Sequence, residues 1–269
     1  MRHQFFKIYR LCLSIVLMQY ALNSFALTPD EEDKQRIADL VIANHIIADQ
    51  GVVDGFGHIS VRSAKNPNHY FMSRSRAPAA VNAQDILEYD LDDNLISSNA
   101  MVPYGERFIH SEIYKLRPDV QSVIHSHSPG VIPFSVSTVA LKPISNTSGF
   151  LLGDVPVFEI RDTAGGATDM LVKNKALGNA LAKKLGDSNV VLMRGHGMAV
   201  VGNSIKVAVS HAIYTERNAQ LQLQAIQLGG KVTYFTKDEA INAGNFIDSA
   251  VNRPWEIWAE QATLHELKH

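Results

Sequence analysis

The sequence predicts an α/β fold built as one domain, and three observations favour this. Amphipathic helix patterns alternate along the chain with short, β-branched strand patterns. The 269 residues are 46% hydrophobic and 19% charged, an ordinary composition for a folded domain. No internal repeat and no linker rich in Pro, Gly or Ser interrupts the sequence. Residues 27–269 are therefore expected to form a single domain that ends in a helical tail.

Residues 1–26 have the pattern of a secretory signal peptide. Three basic residues in the first ten positions precede an apolar run at 11–22, and Ser24 and Ala26 suit cleavage after Ala26. The run is shorter than the roughly 20 residues of a transmembrane helix, although an uncleaved anchor is the alternative. Cys12 is the only cysteine, so the mature chain would lack disulfide and thiolate chemistry. We expect export, to a bacterial periplasm.

The formal net charge is −2, and no basic run is present. This balance gives no electrostatic basis for binding nucleic acid, or for binding a membrane once the signal is cleaved.

Capping and turn residues set the expected element boundaries. Thr28, Pro29 and Glu31 form a capping box that starts a helix ending at Gly51. The other expected elements are strands at 58–62, 70–75, 190–193 and 199–202, a hairpin at 87–91 turned back at 92–94, and helices at 106–114, 131–139, 165–185 and 204–228.

The clearest chemical pattern lies where an apolar strand ends in His125 and His127. Residues two apart in a strand point to the same face, so the two imidazoles would lie side by side. Such a pair needs only a third ligand to hold a metal. A pair of partly exposed histidines at a strand end is the alternative that this local pattern leaves open.

A second apolar strand delivers His196 between Gly195 and Gly197. Flanking glycines remove neighbouring side chains and allow a ligand to approach closely, which makes His196 the natural third imidazole. We expect His211 to be packed inside a long helix. Trp255 and Trp258, three residues apart, are expected to dock a helix.

Further polar residues are candidates for the site. Glu106 is expected in the first turn of a helix, where the helix N-terminus stabilises a carboxylate. His110, one turn later, is expected to pack or to donate a supporting hydrogen bond. His58, Arg74 and Arg76 could meet an anionic group, and a turn histidine with two surface arginines is the alternative reading.

Five stretches together resemble the class II aldolase/adducin superfamily. They are Gly57-His58-Ile59-Ser60, Met72-Ser73-Arg74-Ser75, Tyr104 to His110, His125-Ser126-His127 and Arg194-Gly195-His196-Gly197. The resemblance implies a three-layer α/β/α sandwich around a mostly antiparallel sheet. It also implies a homotetramer with sites near the subunit boundaries.

The resemblance places a divalent metal on His125, His127 and His196 and makes Glu106 the acid/base or a further ligand of the metal. Zinc is the expected ion, with Fe²⁺, Mn²⁺ and Co²⁺ as alternatives. The implied activity is that of a lyase, an aldolase or decarboxylase, acting on a small hydroxy or keto carbohydrate or a hydroxy acid. A Lewis-acidic metal would stabilise the enediolate formed when a C–C bond breaks.

The sequence departs from the sugar-phosphate aldolases where those enzymes bind phosphate. They carry Asn at the position of His58, Thr-Pro-Ser-Gly at 73–76 and Ser-Ser at 104–105. We therefore expect a carboxylate or an aromatic acid as the substrate, as in a branch of the superfamily that decarboxylates hydroxylated aromatic acids. The expected substrate-binding residues are His58, Ser73, Arg74, Ser75, Tyr104 and Gly105.

Two alternatives stay open at this point. A non-haem iron oxygenase-type decarboxylase is disfavoured because such iron sites prefer two histidines and one carboxylate. A catalytically silent, adducin-like interaction domain would be expected to have lost the ligands, and all of them are present.

Overall fold

The computed structural model describes residues 27–97 and 101–266. The expected signal peptide lies outside the described residues. Seven strands form one sheet with helices on both faces, which confirms the predicted α/β sandwich. None of the helices in the described part of the chain is long and apolar enough to span a bilayer.

The described helices and strands follow one another along the chain. The helices are α1 (Pro29–Asp49), α2 (Phe108–Leu116), α3 (Ile132–Ser135), α4 (Arg161–Ala164), α5 (Lys175–Leu185), α6 (Ile205–Gln227), α7 (Lys237–Ser249) and α8 (Asn252–Glu266). The strands are β1 (His58–Arg62), β2 (His69–Ser73), β3 (Ile86–Asp90), β4 (Ser122–Ser126), β5 (Val157–Phe158), β6 (Val190–Met193) and β7 (Gly197–Gly202).

The strands are arranged in the order β3-β2-β1-β4-β7-β6-β5. The β5–β6 pair is parallel and the remaining pairs are antiparallel, as expected. β4 lies in the middle, with His58 of β1 opposite His125 and Met198 of β7 opposite Ser126. This register brings one end of β1, β4 and β7 together.

Both faces of the sheet are buried. Ile124 and Val200 belong to an apolar cluster with residues of α1, α6 and α8. Their strand neighbours Val123 and Val201 belong to a second cluster with residues of α2 and α5. Since alternate residues of a strand point to opposite faces, these two clusters form the two interfaces of a three-layer sandwich.

Local capping signals predicted several helix ends correctly. The Thr28–Glu31 capping box starts α1, and Ser204 caps α6. Trp255 and Trp258 are buried in the cluster under α8, which confirms the expected docking stripe.

Other boundaries differ from the sequence-based expectation. The helix expected from residue 165 begins only at Lys175, where the Asn174 side chain accepts a hydrogen bond from the Leu177 N–H at 3.0 Å. Gly165 and Met170 have positive φ values of 80° and 70°, which a helix cannot contain. Residues 165–174 are therefore a loop.

Three further elements are shorter than expected or begin later. The helix expected at 131–139 is one turn, Ile132–Ser135. The helix expected from 106 begins at Phe108, so Glu106 lies in the preceding turn. The expected hairpin at 87–94 forms as a single bridge between Tyr89 and Leu95. β3 uses its other edge to pair with β2.

A buried arginine ties β1 to the end of α2. Arg62 is 5% exposed and donates to four backbone carbonyls, those of Val120 (3.1 Å), Pro67 (2.5 Å), Tyr114 (2.9 Å) and Arg117 (3.2 Å). The last two carbonyls belong to the C-terminal end of α2, where a helix favours a cation. Burial lowers the pKa of Arg62, and the nearby Tyr114 and Asp119 act in the opposite direction.

We expect Arg62→Met to lower the free energy of unfolding by about 3 kcal/mol, because it leaves several buried carbonyls without a donor. Urea denaturation followed by circular dichroism measures the loss. The control is Arg253→Met on the exposed side of α8, which should change stability by less than about 0.5 kcal/mol. Equal stability of the two variants would contradict the role given to Arg62.

Candidate metal centre

Four side chains expected from the sequence to form the site converge in the structure. One ligand atom each from Glu106, His125, His127 and His196 lies within 4.8 Å of all the others. They come from separate places: β4, the residue after it, the β6–β7 turn and the turn before α2. Of the alternatives left open by the sequence, the structure favours a convergent cluster over two isolated histidines at a strand end.

The β6–β7 turn reaches β4 because residue 197 has no side chain. A Cβ atom built on Gly197 would lie 1.9 Å from the Ser126 carbonyl oxygen, closer than any packing allows. Gly195 adopts a left-handed φ of 62°, which shapes the turn that carries His196. The flanking glycines thus bring the His196 backbone against the end of β4, beside His127.

The His125 ring is oriented for binding a cation. Its Nδ1 lies 3.1 Å from the Met198 carbonyl oxygen, so Nδ1 carries the proton and donates it. The lone pair is then on Nε2, which is buried and has no hydrogen-bond partner among the described residues. A buried acceptor without a partner is costly unless a ligand satisfies it, so this atom fits a metal ligand.

The other ligand atoms face the same point. Nε2 of His127 and Nε2 of His196 are 2.9 Å apart. Glu106 Oε2 lies 3.6 Å from His125 Nε2 and 3.7 Å from His196 Nε2. Three imidazole nitrogens beside one carboxylate oxygen are a donor set that suits Zn²⁺ and the other divalent first-row metals.

Glu106 is held by a contact that the sequence did not reveal. Its Oε1 accepts a hydrogen bond from the Val172 N–H at 2.8 Å, which leaves Oε2 directed at the histidines. The expectation that a helix N-terminus stabilises this carboxylate is wrong, since α2 begins two residues later. Val172 belongs to the loop that was expected to be helical.

Burial keeps the imidazoles of His125 and His196 neutral. Desolvation, aided by the neighbouring His127, lowers the pKa of His125 to about 3. Desolvation also lowers the pKa of His196 to about 4, with His125 acting in the same direction and Glu106 against it. Neutral imidazole is the form that binds a metal.

His58 lies beside the cluster, opposite His125 across the β1–β4 pair. It is buried, its ring centroid is 5.0 Å from that of His125 and 4.6 Å from that of Tyr104, and its Nδ1 contacts His110 Nε2 at 2.7 Å. His110 therefore makes the supporting hydrogen bond expected from the sequence.

The arginines proposed from the sequence are already paired. Arg74 Nε lies 2.6 Å from Asp85 Oδ1, and Arg76 Nη1 lies 3.1 Å from Asp85 Oδ2. The buried Asp85 carboxylate thus neutralises part of the charge that an anionic substrate would meet. The phenol of Tyr104 donates to the Arg76 carbonyl oxygen, which fixes the loop beside His58.

The remaining candidates occupy different environments. Ser73 is fully buried, and its hydroxyl has no partner among the described residues. Ser75 is exposed, and its backbone N–H donates to the Val102 carbonyl at 2.8 Å. Gly105 is exposed with open space around it. Their substrate-binding roles stay predictions.

One aromatic residue near the candidate metal centre was not identified from the sequence. Phe56 is 68% exposed, and its ring stacks on that of His127 with centroids 5.9 Å apart and an interplanar angle of 18°. The sequence feature that could have identified Phe56 is its position between two glycines in the turn before β1. His211, by contrast, is packed as expected, with Val201 and Asp248 as its hydrogen-bond partners.

Comparison with known proteins agrees with this architecture. The model of the class II aldolase and adducin N-terminal domain matches residues 38–223. Decarboxylase tropJ of Talaromyces stipitatus is 36% identical over 239 residues, covering 81% of this chain and 90% of that protein. The 3,4-dihydroxyphthalate decarboxylase of Arthrobacter keyseri is 32% identical over 206 residues, covering 71% and 79%.

The fold is also shared with solved structures. The L-fuculose 1-phosphate aldolase from Glaciozyma antarctica superposes with a TM-score of 0.73 at 22% identity, covering 90% of this chain and 94% of that one. The match to the family model and the extent of the sequence similarity lead to one conclusion. The chain belongs to the class II aldolase/adducin family.

Proposed function

We propose that this protein is a divalent-metal-dependent carboxy-lyase that removes CO₂ from a small hydroxylated acid, with an aromatic acid as the preferred class. The observation that carries the proposal is the convergence of Glu106, His125, His127 and His196 beside His58. The similarity to two decarboxylases supports loss of CO₂ over aldol cleavage.

The metal would be held by His125, His127 and His196, with zinc as the first candidate. A bound divalent cation supplies a Lewis acid that polarises substrate oxygens. The neutral state of His125 and His196 supports this, because no proton has to leave either ring before a cation binds near pH 7.

Glu106 is proposed to transfer the proton that the substrate carbon gains when CO₂ leaves. Loss of CO₂ breaks a C–C bond and leaves its electron pair on the substrate carbon, so that carbon must gain one proton. Glu106 Oε2 is the carboxylate oxygen that faces the ligand cluster, while Oε1 is fixed by Val172. Glu106 would pass that proton from water to the substrate carbon.

Two aromatic rings support a flat substrate. Tyr104 lies against His58, and the exposed Phe56 lies against His127, so apolar ring faces flank the polar cluster. Aromatic acids stack on such faces, whereas a sugar phosphate would need free cations or small hydrogen-bond donors. Export and assembly into a homotetramer remain predictions from the sequence.

We expect His125→Ala to lose the metal, because the variant removes the buried Nε2 atom, which has no hydrogen-bond partner among the described residues. Metal content per chain, measured by mass spectrometry after purification, should fall at least tenfold. His69→Ala is the control, since His69 pairs with Glu88 on β3 and should leave the metal in place. A fully metallated His125→Ala protein would rule out the ligand assignment.

Glu106→Gln should keep the metal and lose turnover by a factor of roughly 10² or more, since an amide cannot transfer the proton. CO₂ release from a panel of hydroxybenzoates and hydroxyphthalates measures the loss, with Glu260→Gln on the exposed side of α8 as the control. Undiminished CO₂ release by Glu106→Gln would refute the role of Glu106.

The same panel, extended by sugar phosphates, separates the competing functions. Oxygen consumption coupled to CO₂ release would favour the iron oxygenase-type decarboxylase. Cleavage of sugar phosphates without CO₂ release would favour an aldolase. Absence of bound metal together with absence of any turnover would favour the interaction domain.

The buried histidines also predict a pH dependence for the metal-free protein. The unfolded state protonates His125 and His110 near pH 6.5, whereas the folded state does so only near pH 3. Stability is therefore fully present above about pH 6.5 and falls on acidification by about 1.4 kcal/mol per pH unit for each such histidine. Urea denaturation of the chelator-treated protein between pH 7 and 5 measures the slope. His125→Asn should reduce it by about 1.4 kcal/mol per pH unit, and an unchanged slope would contradict the burial of a neutral ring.

A further inference from the structure

A buried chain of hydrogen bonds leads from α2 to His58. The Tyr114 hydroxyl lies 2.7 Å from Ser60 Oγ, Ser60 Oγ lies 2.6 Å from His110 Nδ1, and His110 Nε2 lies 2.7 Å from His58 Nδ1. Ser60 and His110 have no exposed surface, and Tyr114 is 1% exposed. The chain contains no carboxylate, so its direction depends only on where each proton finds an acceptor.

The Tyr114 end fixes that direction. In the described part of the chain its O–H group has two acceptors within reach, Ser60 Oγ at 2.7 Å and the Gln121 carbonyl oxygen at 3.5 Å. A hydrogen bond of 3.5 Å is weak compared with one of 2.7 Å, so the phenol donates to Ser60. Ser60 then donates its own proton to His110 Nδ1.

The direction is transmitted through the two rings. Because Nδ1 of His110 accepts from Ser60, the proton of His110 is on Nε2 and is donated to His58 Nδ1. The proton of His58 must then be on its own Nε2, for which the structure gives no partner among residues 27–97 and 101–266. The opposite direction would place a lone pair there and leave the Tyr114 proton with only the distant Gln121 carbonyl.

The His110 and His58 rings each carry one N–H proton. Both rings are buried and joined to each other by one hydrogen bond, and the hydrogen-bonded chain offers no carboxylate to balance a positive charge on either ring. Burial also lowers the pKa of His110 to about 3. Neutral imidazole has one donor and one acceptor nitrogen, so fixing one end of the chain fixes both tautomers.

We propose that Tyr114, Ser60 and His110 are positioning residues that hold His58 with its proton on Nε2, and that His58 thereby donates a hydrogen bond to a substrate oxygen beside the metal centre. The part that concerns the substrate rests on the proposed function. His58 is placed for it, since its ring lies 5.0 Å from that of His125 and 4.6 Å from that of Tyr104.

A neutral donor at this place selects the substrate by its hydrogen-bond chemistry. A carboxylate, phenolate or carbonyl oxygen accepts from Nε2–H, whereas a group that can only donate finds no acceptor there. A neutral imidazole also forms no ion pair with the substrate carboxylate, which must leave as uncharged CO₂. It therefore stabilises the bound substrate less than a cation would, and the barrier to CO₂ loss is not raised by such an ion pair.

The tautomer can be read without turnover. In metal-free protein labelled with ¹⁵N-histidine, the ¹⁵N chemical shifts distinguish protonated from unprotonated ring nitrogens, and His58→Gln identifies the His58 signals by their loss. We expect a protonated Nε2 in the unaltered protein and a mixture of tautomers in Ser60→Ala, which interrupts the chain. Tyr114→Phe should give the same mixture and serves if Ser60→Ala does not fold.

Ser122→Ala is the matched control. Ser122 is equally buried on the adjacent strand and donates to the Ser60 backbone carbonyl at 2.8 Å, outside the chain. It should leave the His58 tautomer unchanged. Either of two results would refute the proposed direction of the hydrogen bonds from Tyr114 to His58. One is a proton on Nδ1 of His58 in the unaltered protein, and the other is the same tautomer change in Ser122→Ala and Ser60→Ala.

Binding of 2,3-dihydroxybenzoate to the zinc-loaded protein tests the substrate part. The dissociation constant should rise about tenfold in Ser60→Ala and less than about twofold in Ser122→Ala. Equal affinity in Ser60→Ala and the unaltered protein, with the tautomer shifted, would overturn the donation to substrate. If the tautomer and binding results hold while no acid is decarboxylated, the proposed function fails and the hydrogen-bond chain stands.

Discussion

The backbone contact between Gly197 and Ser126 is the constraint on which the candidate metal centre depends. Only a residue without Cβ lets the β6–β7 turn pack directly against the end of β4. His196 comes from one side of that contact and His127 from the other, so the separation of the two backbones decides the separation of the two candidate ligands. The central position of β4 makes this contact rigid, because the strand is hydrogen-bonded along both edges.

Much of the centre could be predicted from local sequence because its three histidines sit at strand ends. A strand points alternate side chains to one face, so His125 and His127 had to be neighbours, and the glycines around His196 marked a close approach. Helix and strand patterns of the same local kind indicated an α/β fold, whereas the three-layer sandwich was implied by the resemblance to a known family. What such patterns could not predict was the partner of each polar group across the fold.

Glu106 and Arg62 illustrate that limit. The carboxylate is oriented by the Val172 N–H, 66 positions away in sequence, in a loop that has helix-forming residues but positive φ values at two places. Arg62 looks like a surface residue at a strand end, yet it is buried among carbonyl groups from three separate segments. Both contacts exist only once the strands have paired, so no window of sequence contains them.

β1 has two unlike faces. Ile59 and Val61 face the apolar cluster under α1, whereas His58, Ser60 and Arg62 lie on the side of α2, and all of these residues are buried. A shift of the strand by one residue would place an imidazole, a hydroxyl and a guanidinium group inside the apolar cluster without hydrogen-bond partners. The polar residues of β1 therefore also specify the strand register, since only the observed alignment of β1 with β4 gives them hydrogen-bond partners.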